Sequence, residues 1–238
     1  MRFEPLGGKG QGAMAVPAIE RKGRKIKIKE VKMKKLMVSL LVPVMSFALI
    51  LGGDPELVDD AYVSSCAPNS NTGGRASLQV QIDENCQRRV LIRFCDLPDY
   101  FDDYDVVSAI LVLYASCTHG GTGYILAVAN DWDEYDVCWA NQPSVYYSLV
   151  IQVEFYETEW SGDWAYFNIL EIAEKWFSGE FLYYGLLLRP AGWEDKILWI
   201  AHSTDSEPEY KRPYLELELD PPLSVRSSSL GMLKALYK

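Results

Sequence analysis

The chain has 238 residues, of which 49% are apolar and 13% aromatic, which is enough apolar material for a globular core. Its formal charge of −10 is unevenly spread. Residues 1–35 hold 11 of the 23 Lys and Arg and 3 of the 33 Asp and Glu, so the rest carries 12 positive against 30 negative side chains, a charge of −18. Such an acidic body repels phosphate backbones and anionic lipid, which argues against a nucleic-acid partner and favours cations, basic proteins or neutral glycans.

Residues 1–53 have the pattern of a secretory signal. A basic run at 21–35 precedes an apolar run at 36–51, and small residues at positions 46 and 48 allow cleavage after Ala48. If the run up to Gly53 is retained instead, it predicts a marginal membrane anchor, and the chain would meet the membrane only through this segment. Both interpretations predict a body that is secreted or displayed at the cell surface.

Residues 54–220 are predicted to form one all-β domain. Short runs of alternating apolar and polar residues, separated by turn clusters, predict about ten strands. The clearest of them are Asp60–Ser65, Ala76–Ile82, Arg89–Phe94, Val106–Ser116, Tyr124–Ala129, Ser148–Tyr156, Tyr184–Arg189, Ile197–His202 and Tyr214–Leu219.

One amphipathic helix is predicted at 168–178, with Asn168 as its N-cap and Gly179 ending it. Many short strands with a single helix predict an antiparallel β-sandwich of jelly-roll type with one short helix, which closes one end of the core. Residues 221–238 follow a Pro-Pro pair and are predicted to be a flexible tail.

The five cysteines are compatible with two interpretations. In an exported protein they predict one or two disulfides, and no pair has the C-x-x-C spacing of a zinc site. Alternatively, they are small buried hydrophobic residues, because several lie in or beside apolar strands.

The stretch from Asp131 to Pro143 fits neither a helix nor a strand. Its two tryptophans, Trp132 and Trp139, favour burial, while the acidic residues beside them favour water or a cation. It is predicted to be a structured loop packed across one end of the core, with the tryptophans as anchors.

Several motifs, in this order, resemble the DNRLRE domain. They are D-A-Y-V-S-S-C-A-P-N-S-N-T-G-G at 60–74, R-V-L-I-R-F-C-D-L at 89–97, A-I-L-V-L-Y at 109–114, W-x-E-x-x-V-x-W-x-N-Q-P at 132–143 and R-P-Y-L at 212–215. The resemblance covers roughly residues 59–219, and it departs from the family at Cys138, where a Thr is common. That family is similar to disaggregatase-related repeats and to a carbohydrate-binding module family that binds alginate. The resemblance implies an extracellular β-sandwich, often attached to polysaccharide-degrading enzymes or surface proteins, and implies no single activity.

Carbohydrate binding needs flat aromatic rings to stack on sugars and polar groups at the rim. The candidates lie in or beside predicted turns, and the alternative for each is a packing role; they are Tyr146, Tyr147, Trp160, Trp164, Tyr183 and Trp193. A body of charge −18 binds a polyanion such as alginate poorly, so a neutral polysaccharide is the predicted partner.

Calcium is a possible structural cofactor, because carboxylates at close spacing suit this hard cation. The predicted ligands are Asp131, Asp133 and Asp136, and a second acidic loop lies at 99–105. Neither segment matches the EF-hand loop, and for either segment taken alone a solvated acidic surface is the favoured interpretation.

No enzymatic activity is predicted. A pair such as Glu134 and Asp163 is conceivable in a polysaccharide-degrading enzyme, but the chain has only His119 and His202 and no G-x-S-x-G or phosphate-binding motif. The main prediction is therefore a non-catalytic carbohydrate-binding module or cell-surface domain. Its chief alternative is a structural or adhesion subunit of a surface layer or filament that associates with its own copies.

Overall fold

The computed structural model describes residues 46–158, 162–192 and 196–221. Within these residues the chain forms eleven strands, one α-helix and two short 3₁₀ turns, at Leu97–Tyr100 and Glu209–Lys211. The strands and the helix are β1 Phe47–Gly52, β2 Val58–Ser64, β3 Ser77–Ile82, β4 Gln87–Phe94, β5 Asp105–His119, β6 Gly121–Ala127, β7 Ile151–Phe155, β8 Asp163–Asn168, α1 Leu170–Phe177, β9 Leu186–Pro190, β10 Ile197–His202 and β11 Tyr214–Asp220.

The strands form a single curled antiparallel sheet whose order is β1-β11-β5-β10-β3-β4-β9-β6-β7, with β8 paired to β5 and β2 paired to β4. Strands β3 and β4 are joined through only two residue pairs, Gln81 with Arg88 and Ile82 with Gln87. That short junction links two halves of the sheet. One half contains β1, β11, β5, β8, β10 and β3, and the other contains β2, β4, β9, β6 and β7.

The main hydrophobic core is shared by the two halves. Alternate residues of β5, such as Leu111 and Leu113, belong to the same buried cluster as Ile92 of β4 and Leu188 of β9. Because side chains alternate between the faces of a strand, one face of each half points into this cluster and the other points away from it. The predicted all-β antiparallel sandwich is confirmed.

Strands β1 and β8 were not predicted from the sequence. Strand β1 pairs with β11, from Phe47 opposite Leu219 to Gly52 opposite Tyr214, although its apolar run has the composition of a signal sequence. Residues 1–45 and 222–238 lie outside the described residues, so the signal, anchor and tail stay predictions. No helix in the described ranges combines the length and hydrophobicity that a membrane crossing requires.

The structure confirms a helix in the predicted segment 168–178, but the helix starts two residues later than predicted. Helix α1 begins at Leu170, and Ile169 rather than Asn168 occupies the capping position, because Asn168 is the last residue of β8. The Asn168 side chain still accepts a hydrogen bond from the Leu170 N–H at 2.9 Å. At the other end Gly179 has a φ of +72°, the left-handed conformation expected of a glycine that ends a helix.

The cysteines divide between the two interpretations. A disulfide joins Cys66 to Cys86, whose Cα atoms are 5.3 Å apart, and it ties the turn after β2 to the start of β4. Cys117 and Cys138 are buried free thiols, as expected of small hydrophobic residues, while Cys95 is an exposed free thiol.

Candidate functional site

Four aromatic residues lie together on the outer face of the half-sheet that contains β8, β5 and β11. Strand pairing places both Tyr166 and Tyr214 opposite Val112, and it places Trp164 opposite Tyr114. The Trp164 ring centroid is 5.2 Å from that of Tyr114 and 5.5 Å from that of Tyr214. We call Tyr114, Trp164, Tyr166 and Tyr214 the aromatic face.

The alternation of β8 turns its aromatic residues outward. Phe167 and Ala165 pack with the main core, so Trp164 and Tyr166 lie on the opposite face of the strand. Tyr166 is 62% exposed even though it is a large ring. An exposed ring beside partly buried rings on one face of a sheet is typical of a surface that meets a ligand.

A polar depression of about 270 Å³ borders the aromatic face. Its lining includes Ser77, Ser116, His202 and Lys211. The Lys211 Nζ is 4.3 Å from the Tyr114 ring centroid, and the His202 ring is 5.6 Å from it. Burial, and then the charge of Lys211, lowers the pKa of His202 below its usual value of 6.5. The imidazole is therefore neutral at pH 7, and the depression offers both donors and acceptors to a ligand.

An open cleft of about 640 Å³ separates β7 from β8. Among the described residues β7 pairs with β6 and β8 with β5, so one edge of each strand faces the cleft. Its floor contains Phe155, Phe167 and Trp199, whose ring centroids are 5.1 to 6.1 Å apart, and Tyr156 stands exposed at its border. The cleft adjoins the aromatic face because Trp164 and Tyr166 line both.

The comparison with known families agrees with this geometry. The model of carbohydrate-binding module family 96 matches residues 55–218, which is more than half of the chain. The chain belongs to this family. No curated protein matches the sequence. Members of a carbohydrate-binding family are binding modules, so the module's partner is a carbohydrate.

Two of the predicted sugar-binding residues of this module have packing contacts. The Tyr146 ring stacks on Phe181 with centroids 4.1 Å apart. The Tyr183 hydroxyl donates to the Phe94 carbonyl at 2.9 Å and accepts from the Phe94 N–H at 2.8 Å, and burial raises its pKa well above the usual value. Both residues therefore have a packing role.

The other predicted sugar-binding residues differ in position. Trp164 belongs to the aromatic face. Tyr147 is 69% exposed and lines a separate small cavity of about 190 Å³ together with Arg89 and Arg189. Trp160 and Trp193 lie outside the described residues. Sequence reasoning did not select Tyr114, Tyr166 or Tyr214, although the alternation of D-W-A-Y-F-N at 163–168 carried a signal for Tyr166.

The loop from Asp131 to Pro143 lies on an outer face of the sheet rather than across one end of the core. Trp132 packs in a second buried cluster with residues of β4, β6 and β9, namely Leu91, Leu126 and Leu187. Its indole N–H donates to the Tyr184 carbonyl at 2.8 Å. Leu91 and Leu187 point away from the main core, so this loop covers the back of the β2-containing half.

The structure does not bring the predicted metal ligands together into one group. The Asp131 carboxylate accepts from Arg93 at 2.6 Å, and this hydrogen bond lowers the pKa of Asp131. Asp133 accepts from the Tyr135 N–H at 2.8 Å, and Asp136 is exposed beside Asn141. Each carboxylate therefore has a local partner of its own.

A different acidic cluster forms between three separate segments. Asp60 of β2, Glu134 of the loop and Asp205 after β10 each place a carboxylate oxygen within 4.8 Å of the others. Burial raises the pKa of Asp60 to about 7, and burial also raises the pKa of Glu134. We call these three residues the acidic cluster; they are far apart in sequence, so no local motif marks them.

Proposed function

We propose that the chain is an exported, non-catalytic module that binds a neutral polysaccharide on its aromatic face. The observation that carries the proposal is the pair of rows across β8, β5 and β11, in which Tyr166 and Tyr214 flank Val112, and Trp164 adjoins Tyr114. Sugar rings have apolar faces that stack on such aromatic surfaces, while their hydroxyls need polar partners at the rim.

The shape of the aromatic face suits an extended ligand. Strands β8, β5 and β11 are neighbours about 4.8 Å apart, and the Trp164 and Tyr214 rings lean towards each other to 5.5 Å between centroids, so the rings form one continuous patch. The polar depression continues the same surface through His202 and Ser116. A polysaccharide lying across the strands would contact the rings first and the polar groups next.

Charge favours a neutral ligand. Glu216 and Glu218 alternate with inward-facing leucines on β11 and so lie on the same side of the sheet as Tyr214. Lys211 is the cation that contacts this surface in the described residues, and it already lies over Tyr114. A polyanion would meet these carboxylates and a body of charge −18, which disfavours its binding.

Binding without catalysis is supported by the position of the carboxylates whose pKa values are raised. Such groups are the usual candidates for acid–base work. Asp60 and Glu134 line neither the cleft nor the polar depression beside the aromatic face. Export is supported by the Cys66–Cys86 disulfide, a bond that persists in oxidising compartments, and by the basic and apolar pattern of the first residues.

The test is a binding series with the full chain. A panel of neutral polysaccharides, with alginate as the polyanionic comparison, is screened by affinity electrophoresis, and the best ligand is titrated by calorimetry. Tyr166→Ala and Trp164→Ala are each expected to weaken binding about tenfold or more, which corresponds to about 1.4 kcal/mol. Tyr166 is exposed, so its variant is expected to fold normally.

Two further variants locate the surface. Leu182→Ala removes an exposed apolar side chain outside the aromatic face and is expected to bind like the wild type. Tyr147→Ala tests the separate cavity beside Arg89. Loss of binding with Tyr147→Ala but not with Tyr166→Ala would place the site elsewhere, and absence of binding to every polysaccharide would refute the function itself.

Self-association is the second candidate function, and the free sheet edges favour it. Strands β1 and β7 end the strand order, and each has one pairing partner among the described residues. Exposed strand edges can pair with a second copy. Sedimentation that depends on protein concentration, in a protein that binds no polysaccharide, would support an assembly subunit instead of the module.

A further inference from the structure

The acidic cluster places two buried carboxylates and one exposed carboxylate close together. Asp60 is 1% exposed and Glu134 is 7% exposed, while Asp205 is exposed at the outer side of the cluster. Among the described residues no ion pair involves any of the three carboxylates, and Arg93, which contacts the loop, is paired with Asp59 and Asp131 instead. Buried carboxylates without a counter-charge are unfavourable unless a cation accompanies them.

One oxygen of the cluster has no partner at all. Asp60 Oδ2 accepts from the Thr204 N–H at 2.7 Å and from the Thr204 hydroxyl at 3.0 Å. Asp60 Oδ1 is buried and has no hydrogen-bond partner. Its carboxyl group belongs to the cluster that Glu134 and Asp205 complete, so this oxygen is available to a ligand that enters there. Buried polar atoms are nearly always satisfied, and an unsatisfied one indicates a missing partner.

Close packing holds the cluster in place. The Asn71 side-chain amide donates to the Glu134 carbonyl at 2.7 Å and to the Val137 carbonyl at 2.8 Å. A Cβ on Gly73 would lie 2.3 Å from the Glu134 carbonyl oxygen, so only glycine permits this approach. On the other side Ser203 accepts from the Asp205 N–H at 3.2 Å. These contacts fix the backbone of Glu134 and of Asp205 beside the cluster.

A set of three carboxylates with one exposed side suits calcium, which takes oxygen ligands in a flexible geometry, better than magnesium. Calcium binds oxygen at about 2.3 to 2.6 Å, so two ligands on opposite sides of the ion are roughly 5 Å apart. Magnesium binds oxygen at about 2.0 to 2.1 Å and demands a nearly ideal octahedron. The three carboxylate oxygens lie within 4.8 Å of one another, and the exposed side at Asp205 leaves room for water ligands.

We propose that Asp60, Glu134 and Asp205 form a calcium site that fastens the loop from Asp131 to Pro143 to strand β2 and to the turn after β10. The ion neutralises the buried carboxylates and supplies the missing partner of Asp60 Oδ1. This site differs from the one predicted from the sequence, because Glu134 is its only ligand from the loop. It is structural, and its existence does not depend on the carbohydrate function.

The experiment uses the full chain after treatment with a chelator and dialysis. Calcium chloride is titrated into the protein by calorimetry, and thermal unfolding is measured with and without the ion. One ion per chain is expected to bind, and at about 100 times the dissociation constant the unfolding midpoint is expected to rise by roughly 5 to 10 °C. Asp205→Asn, at an exposed position that should tolerate the change, is expected to weaken calcium binding at least tenfold, and Asp60→Asn to abolish it.

Matched variants show which carboxylates bind the calcium ion. Glu171→Gln removes an exposed carboxylate on α1 and should bind calcium like the wild type. Asp136→Asn separates the two possible sites: a loss of binding there, with normal binding in Asp205→Asn, would overturn the proposal in favour of the loop carboxylates. A wild type that takes up no calcium, or an equal thermal shift with sodium chloride at the same ionic strength, would also overturn it.

Discussion

The substitution Trp132→Ala should destabilise the domain more than any other single change in the loop from Asp131 to Pro143. The Trp132 side chain is 7% exposed and belongs to a buried cluster with Leu91, Leu126 and Leu187. Truncation leaves a cavity among these residues. It also removes the indole N–H that donates to the Tyr184 carbonyl, so that carbonyl loses its hydrogen-bond donor. For a buried tryptophan the expected loss is about 3 to 5 kcal/mol of unfolding free energy.

Trp139 provides the internal comparison. From the sequence alone both tryptophans are predicted to be anchors, and Trp139→Ala would be expected to cost roughly 3 to 5 kcal/mol, the loss for a buried tryptophan. In the structure Trp139 is partly exposed, packs at the border of the cluster and lies under Arg89, whose guanidinium carbon is 4.4 Å from the ring centroid. Partial burial and one cation–π contact predict a smaller loss for Trp139→Ala, about 1 to 2 kcal/mol.

The assay is equilibrium unfolding in urea followed by far-UV circular dichroism, since fluorescence would itself change with the loss of a tryptophan. Linear extrapolation gives the free energy of unfolding in water for the wild type and each variant. Trp132→Phe serves as a control that keeps most of the ring and loses the bond to Tyr184, with an expected loss of roughly 1 to 3 kcal/mol. A Trp139→Ala loss equal to or above that of Trp132→Ala would refute the assignment of Trp132 as the main anchor.

Two further predictions concern the disulfide and the histidine. Replacing both Cys66 and Cys86 by Ala should lower the free energy of unfolding by about 3 kcal/mol, because the disulfide closes a loop with a sequence separation of 20. Urea unfolding of the wild type and the variant under oxidising conditions measures this loss. An unchanged unfolding midpoint would show that the disulfide contributes no stability. The pKa of His202 is lowered in the folded state, so the unfolded state takes up the proton more readily and stability should fall as pH drops below about 6.5. His202→Gln should reduce this acid-induced loss in thermal unfolding between pH 7 and pH 5, and a variant with an unchanged pH profile would contradict that role.

The strands and the helix could be predicted because their signals are local. Alternating apolar residues marked β3, β7 and β11, a long apolar run marked β5, and an amphipathic run ending at Gly179 marked α1. Strand β1 was missed because the run Phe47 to Leu51 continues an apolar segment that follows a basic one, the pattern of a signal sequence. Only its pairing with β11 identifies it as a strand.

The amino-acid sequence by itself determined the all-β class, the acidic body, the single helix and the motifs shared with a carbohydrate-binding family, since each depends on composition or on residues close together in the chain. Only the tertiary structure decided which aromatic residues form one surface and which carboxylates meet. Tyr166 joins Tyr214 because both pair opposite Val112, and Asp60 meets Glu134 and Asp205 because two loops close over β2. Strand register and loop packing are set by contacts between distant residues, and no local pattern records them.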